Sequence, residues 1–414
     1  MKRVRHILYL GHRYVGLAMA VFLTVAALTG SLLAFREPIE RLVAPQLYAQ
    51  PRPGVAPLDL PTLVARAQEQ LPHARVDGVT LMHPDQAVVI PTPKTDPSTG
   101  KPYNLGFSQF YIDPWTGKEL AHRNRNDISD GLINLMPFML QLHDKLVLGP
   151  GGYIFMGIVA LFWTIDCFVA LYLTMPPVAA HFFRHWKPSW LIKTNAGPYR
   201  LNLDLHRAFG LWLWPMFLVF AWSGVMYNLR PWVYEPVTKA LFGLNDRSVA
   251  QDFAALRNSR KGAKPMDKVD WNHALAEGRR LLADKAAQEG TMLGEPRSLA
   301  YMAPFNSYSY GATVGHGDEM RMVMFDPATS ETLFYLNPNP KKMGRGETIS
   351  RWLSRLHTAH SIGPIYQTFV AFLGLVIAMF SVTGVYLWWK KRSVRVFKKS
   401  AAAELQQESV GAPV

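Results

Sequence analysis

Four histidines stand at the edges of long apolar runs, and their surroundings come in matched copies. His12-Arg13-Tyr14-Val15-Gly16-Leu17 opens the first run, and His206-Arg207-Ala208-Phe209-Gly210-Leu211 opens a later one. Leu142-His143 precedes Gly149-Pro150, and Leu356-His357 precedes Gly363-Pro364. Ionisable side chains are rare in membrane-spanning segments, and those present usually carry function. A neutral imidazole is a good ligand for haem iron, and a porphyrin is apolar enough to lie among helices. Two matched pairs therefore point to two b-type haems, each held by two imidazoles. Gly16 and Gly210 each follow a histidine by four residues, on the same helix face, and leave room for a flat macrocycle. A single interfacial histidine is ordinarily a residue that snorkels or caps a helix. The common register of all four carries the haem reading.

That register is an internal duplication. An offset of 194 residues superposes His12, Gly16 and Gly30 on His206, Gly210 and Gly224. An offset of 214 superposes His143, Gly149, Pro150 and Tyr172 on His357, Gly363, Pro364 and Tyr386. The turns Asp113-Pro114-Trp115-Thr116 and Asp326-Pro327-Ala328-Thr329 also correspond. Such agreement at glycine and histidine is hard to produce from composition alone. A pseudo-twofold axis along the bundle then brings equivalent residues together. The expected inner haem is held by His12 and His206, and the outer haem by His143 and His357. His360 is the second choice at the outer site, as a competing ligand or a propionate partner. It lies one turn after His357 and corresponds to Leu146. His181 and His185 have no repeat partners and read as loop residues; His73, His83, His122, His273 and His316 read as surface.

The elements that must position these residues follow from apolar runs and flanking charge. About 20 apolar residues cross a hydrocarbon core of roughly 30 Å. Helical spans are expected over 1–36, 137–175, 205–229 and 351–390, with a cytoplasmic loop over 176–204 and a cytoplasmic tail over 391–414. Residues 400–414 are expected to lack structure. Lys2, Arg3, Arg5 and Arg13, then Arg184, Lys187, Lys193 and Arg200, then Lys390-Lys391-Arg392 mark the cytoplasmic side. At Gly149-Pro150 either an interruption or a kinked continuous helix is compatible with the sequence. The basic N-terminus has the look of a signal peptide, but the apolar run to Phe35 is long and no small-x-small site closes it, so an uncleaved anchor is expected.

The polar stretches 37–136 and 230–350 read as two α+β domains outside the membrane. Leu60–Leu71 and Asp267–Gln288 have helical patterns; Gln86–Thr92, Phe107–Ile112, Ser298–Val314 and Arg321–Leu336 read as strands. The aromatic set Tyr301, Phe305, Tyr308 and Tyr310 fits the core face of a strand pair better than a docking surface.

Composition narrows the function classes. The chain has 414 residues, a formal net charge of +14 and 49% hydrophobic residues gathered into blocks. The basic residues flank those blocks instead of interleaving with stacking aromatics, which argues against nucleic acid and for a lipid membrane as the charged partner. A lone cysteine, Cys167, excludes an intrachain disulfide and cysteine-rich zinc sites. No nucleotide or flavin motif stands out, since Gly149-Pro150-Gly151-Gly152 follows no strand. The electron donor is then a quinol or a separate cytoplasmic reductase. Asp166 lies inside the second span, where a carboxylate must pair or protonate. It fits two roles: accepting a proton from a quinol, or a hydrogen bond to a neighbouring helix or to Arg13 or Arg207. Trp163, Trp212, Trp214 and Trp222 read as packing, and Trp388-Trp389 as an interfacial anchor.

The two His-Arg-x-x-Gly-Leu stretches, Thr29-Gly30, Leu142-His143, Leu356-His357, Thr383-Gly384-Val385-Tyr386-Leu387-Trp388 and the two Asp-Pro-x-Thr turns resemble the PepSY-associated transmembrane family of bacterial inner-membrane proteins. The likeness covers nearly the whole chain, and within the family the chain looks like the iron-regulated branch that includes ferric siderophore reductases. Ser223-Gly224 and Ala170 depart from it, since Thr-Gly is typical at those places. The resemblance implies a four-helix transmembrane bundle with two periplasmic PepSY-like domains, two haem b groups, and a reductase delivering electrons to ferric siderophore in the periplasm. Another periplasmic acceptor is the alternative within that chemistry. A haem-free sensor or peptidase-regulating protein is the alternative outside it.

Overall fold

The computed structural model describes residues 2–410 except 126, 179, 243–248, 263–265, 267–268, 316–319, 337–344 and 360–361. In chain order the helices are α1 (Lys2–Leu33), α2 (Arg36–Val43), α3 (Leu60–Gln70), α4 (Leu135–Lys145), α5 (Gly149–Thr174), α6 (Phe182–Trp186), α7 (Pro198–Trp212), α8 (Trp214–Asn228), α9 (Glu235–Phe242), α10 (Val249–Ser259), α11 (Trp271–Gln288), α12 (Arg345–Thr358) and α13 (Pro364–Val410). The strands are β1 (Ala74–Val76), β2 (Gly78–His83), β3 (Gln86–Val89), β4 (Pro91–Pro93), β5 (Gln109–Ile112), β6 (Glu119–Arg123), β7 (Leu293–Met302), β8 (Ser307–Val314), β9 (Met320–Phe325) and β10 (Thr332–Leu336). They divide into a helical unit, built from 1–36, 139–243 and 349–414, and a sheet unit, built from 37–138 and 244–348.

In the helical unit, among the described residues, α1, α5 and the segment Pro364–Ser393 of α13 are long and apolar enough to cross a membrane. A fourth crossing is available if α7 and α8 count as one span. The continuous helix expected over 205–229 is in fact broken: α7 and α8 meet at 71° around Leu213. Hydropathy sees no break in Trp212-Leu213-Trp214, but Pro215 in the first turn of α8 cannot donate a backbone hydrogen bond and crowds the preceding turn. The span expected over 351–390 is likewise two helices, α12 and α13, and 137–175 is α4 followed by α5. Positive φ at Leu146, Val147 and Gly149, and again at Ala359 and Gly363, turns the chain at both breaks. The equivalent prolines, Pro150 and Pro364, sit in the first turn of the next helix, where the missing N–H costs nothing. In the tail, α13 continues to Val410 where no structure was expected.

The sheet unit departs from two separate domains. Among the described residues, eight of its strands form one antiparallel sheet in the order β10-β9-β8-β7-β2-β3-β5-β6, and β1 and β4 pair as a separate two-stranded sheet. The order is symmetric about the β7–β2 junction, with four strands from each half of the duplication. An isolated half would leave β2 or β7 as an unpaired edge, and pairing the two removes both edges. At the junction Gly78 lies opposite Ala300 with φ +151°, and a Cβ there would fall 2.6 Å from the Ala300 Cα. Only glycine lets the backbones approach so closely. One core joins α3 and α11 to this sheet through Leu63, Phe110, Leu282, Leu299, Tyr301, Tyr308, Tyr310 and Phe325. The tyrosines are thus core residues. Asp59 caps α3 by accepting from Thr62 N at 2.7 Å, and Asp270 caps α11 by accepting from His273 N at 3.0 Å. The two Asp-Pro turns also match: Asp113 accepts from Trp115 N at 2.7 Å, and Asp326 from Ala328 N at 2.8 Å.

Candidate functional site

The helical unit brings the four histidines together as two pairs. The His12 and His206 rings lie 6.3 Å apart between centroids with planes at 61°. The His143 and His357 rings lie 6.0 Å apart with planes at 74°. His12 sits near the start of α1, while His143 packs on Ala26, Thr29 and Gly30 near its other end. That is 14 to 18 residues farther on, or about 21–27 Å along the helix. The pairs therefore occupy opposite ends of the unit. His206 ends its approach in α7; His143 and His357 occupy the last turns of α4 and α12, just before the two chain breaks.

Each ring has a hydrogen-bond partner at Nδ1. His12 Nδ1 faces both carboxylate oxygens of Asp166, at 2.9 and 3.0 Å. His143 Nδ1 faces the Ala26 carbonyl at 2.8 Å and Thr29 Oγ1 at 3.2 Å. His206 Nδ1 lies 3.5 Å from Thr383 Oγ1, and His357 Nδ1 lies 2.6 Å from Ser223 Oγ. The three hydroxyls donate their own protons to backbone carbonyls of the preceding turn: Thr29 to Val25 at 2.7 Å, Thr383 to Phe380 at 3.1 Å and Ser223 to Phe220 at 3.1 Å. Each therefore presents a lone pair to the imidazole, as do the carboxylate and the carbonyl. His12 and His143 face a carboxylate and a carbonyl, which only accept, so Nδ1 carries the proton there and Nε2 keeps its lone pair; the hydroxyls facing His206 and His357 accept in the same way when their own protons go to the preceding turn. This is the usual arrangement behind a metal-binding imidazole, where an acceptor on the far nitrogen fixes tautomer and orientation.

The spacing can be tested against a shared metal. Imidazole–metal bonds of about 2.0–2.1 Å on two sides, with ring bonds near 1.33 Å, put two collinear centroids about 6.3 Å apart. The observed 6.3 and 6.0 Å agree with that spacing. Of the two glycines expected to make room, Gly16 has nothing within 4 Å of a built Cβ, whereas Gly210 meets the Phe380 ring at 3.5 Å. Space beside the first histidine is thus open, and beside the third it is partly taken by an aromatic ring. Phe380 also lies tilted against His206 at 4.8 Å and edge-on to Phe217 at 5.4 Å, and Phe220 lies 5.2 Å from His357. Aromatic packing thus fills the interior between the pairs.

Several residues behave differently from expectation. Asp166 pairs with His12 and with neither suggested arginine: Arg207 donates to Asp204 at 3.0 Å, and Arg13 bonds Tyr14. His360 lies outside the described residues, as does His316. His181 and His185 are exposed. The hydroxyls of Thr29, Ser223 and Thr383 stand in the sequence as parts of a pattern, and the structure makes them partners of the histidines. A signal was present: Thr29 and Ser223 each follow a candidate histidine by 17 residues, and each precedes a glycine. The glycines serve the neighbouring ring. A Cβ on Gly30 would lie 3.0 Å from His143 Cε1, and one on Gly384 would lie 3.7 Å from His206 Cε1.

A family model described as the PepSY-associated TM region matches residues 10–391. No curated protein matches the chain.

Proposed function

The chain belongs to the PepSY-associated transmembrane family, and we propose that it is a di-haem b-type reductase of the bacterial inner membrane that passes electrons from the cytoplasmic side to ferric siderophore iron in the periplasm. One observation carries this reading: four imidazoles, each hydrogen-bonded at Nδ1, stand in two pairs with ring centroids 6.3 and 6.0 Å apart. In this reading the helices form four spans with both termini cytoplasmic, and the sheet unit is the periplasmic, PepSY-like part.

His12 and His206 would hold one haem, and His143 and His357 the other. Each site offers two imidazoles, which suits a metal whose remaining ligands come from a macrocycle. Haem iron held there would supply a one-electron couple, and ligation by two imidazoles would favour electron transfer over oxygen chemistry. Asp166, Thr29, Ser223 and Thr383 hold the rings in place and keep the Nδ1 proton there. Phe217, Phe220 and Phe380 keep water from the interior between the pairs. Electron movement outward from a negative interior is favoured by roughly 2.3 kcal/mol per 100 mV. Reduction loosens iron from hard oxygen donors, which releases it from a siderophore. The resemblance to the iron-regulated branch supports that acceptor. A quinol or a separate cytoplasmic reductase supplies the electrons.

The test is a visible spectrum of the detergent-purified protein. A dithionite-reducible b-type band at two haems per chain is expected. Its absence removes the haem reading and favours a haem-free sensor or peptidase-regulating role. Stopped-flow mixing of the reduced protein with a panel of ferric siderophores then tests the acceptor. If none reoxidises it faster than buffer does, another periplasmic acceptor takes that place.

A further inference from the structure

The duplication is broken at one point of chemistry. Under the 214-residue offset Asp166 corresponds to Phe380, Val169 to Thr383 and Ala170 to Gly384. In the second half a hydroxyl faces His206, and Phe380 lies tilted against that ring at 4.8 Å. In the first half the hydroxyl and the aromatic ring are both missing, and a carboxylate with 13% of its side chain exposed grips His12 through both oxygens. Among the described residues, the Nδ1 partners of the other three imidazoles are neutral groups. Among the described residues no arginine or lysine pairs with Asp166, although it lies within α5, an apolar helix. A carboxylate there must pair or protonate, and the partner it has is His12 Nδ1.

An acceptor on Nδ1 makes an imidazole a stronger donor through Nε2, and an anionic acceptor does so more than a neutral one. We infer that Asp166 is a positioning residue that gives the His12–His206 site the lower reduction potential of the two. This rests on the reading of both pairs as haem ligands. Its consequence is direction. With haem held at both pairs, the lower potential at His12–His206 would favour passage of one electron from that pair, reduced by the quinol or reductase donor, to His143–His357. No bond forms or breaks, and no proton need move. The order of potentials then runs the same way as the membrane field.

The test is an optical redox titration of the purified holoprotein, wild type against Asp166→Asn, Asp166→Ser and Asp166→Glu, with haem content measured alongside. Wild type should show two resolved midpoints. Asn and Ser keep a neutral acceptor and should raise only the lower midpoint, by at least a tenfold change in the equilibrium constant, about 59 mV for one electron. Glu keeps the charge and should hold the wild-type value. If Asn and Ser each lose one haem, the midpoint that remains should be the higher of the two wild-type values, and a remaining lower midpoint would overturn the proposal. Unchanged midpoints in fully loaded Asn and Ser variants would overturn the proposal, as would loss of a haem in Glu as readily as in Asn. A wild type without haem overturns the underlying reading instead, so the two failures are distinct.

Discussion

The two histidine pairs are built on one duplicated scaffold, yet they differ in kind. At His143–His357 the halves remain equivalent: Thr29 and Ser223 occupy matched positions and each presents a hydroxyl oxygen to an Nδ1. At His12–His206 they do not, since Asp166 serves one ring and Thr383 the other from different turns. A neutral acceptor is enough to orient a ring, and either half can supply it. A carboxylate does something more, because it adds charge next to a ligand in an apolar surrounding. The symmetric pair is therefore the better guide to what ligation alone requires. The asymmetric pair indicates where the two sites have been made unequal.

The largest test of that contrast removes a ligand from each pair. His357→Ala and His206→Ala should each lower haem content from two to one, read by pyridine haemochrome assay against protein. The surviving haem should differ: the His357 variant keeps the lower-potential midpoint and the His206 variant the higher. If both variants lose both haems, or neither loses any, the pairs are not independent sites and the comparison fails. His12→Ala and His143→Ala should repeat the two outcomes, because each removes the partner ring.

Much of this was legible in the sequence, for a physical reason. Histidines and glycines in apolar helices are conspicuous against leucine and valine, and a fixed offset exposes their equivalence. His12 to His206 is such a signal. The His12–Asp166 contact was not legible, because its residues lie 154 positions apart and only helix packing tells which ring the carboxylate meets. The bend at Leu213 was hidden because Trp212-Leu213-Trp214 is apolar throughout, so the one cue was Pro215. The single eight-stranded sheet was hidden for another reason. The β2–β7 junction is made by backbone groups, which leave no side-chain pattern, and its only mark is Gly78.

A finer test lies within the symmetric pair, where equivalence of position hides a difference in dependence. Ser223 Oγ is the acceptor facing His357 Nδ1, at 2.6 Å, whereas His143 Nδ1 has the Ala26 carbonyl at 2.8 Å besides Thr29. Losing the partner of a metal-bound imidazole typically weakens the metal about 10–100-fold. Ser223→Ala should fall in that range, because it leaves a polar N–H without its acceptor, at a cost of about 1–3 kcal/mol. Thr29→Val should cost clearly less, since the Ala26 carbonyl still accepts. Competitive haem transfer to an apo-globin would measure both. Equal losses would mean that the hydroxyls act through packing and not through Nδ1.

The smallest expected effect compares the two glycines that face a ring. A Cβ at Gly30 would stand 3.0 Å from His143 Cε1, closer than ordinary van der Waals contact, while one at Gly384 would stand 3.7 Å from His206 Cε1. Gly30→Ala therefore forces the His143 ring, or α1 against α4, to yield by a few tenths of an ångström. The ring is held at 2.8 Å by the Ala26 carbonyl, so the shift would stretch that bond first. Gly384→Ala meets only ordinary contact, and alanine is the better helix former by about 1 kcal/mol. Gly30→Ala should thus broaden or shift the spectrum of the haem at His143–His357 without removing it, and Gly384→Ala should leave the His12–His206 haem unchanged with slightly raised thermal stability. Low-temperature absorption in the α-band region resolves the two. A shift in the Gly384 variant and none in the Gly30 variant would show that the rings lie differently from the arrangement described, and would remove the basis for treating the symmetric pair as the reference.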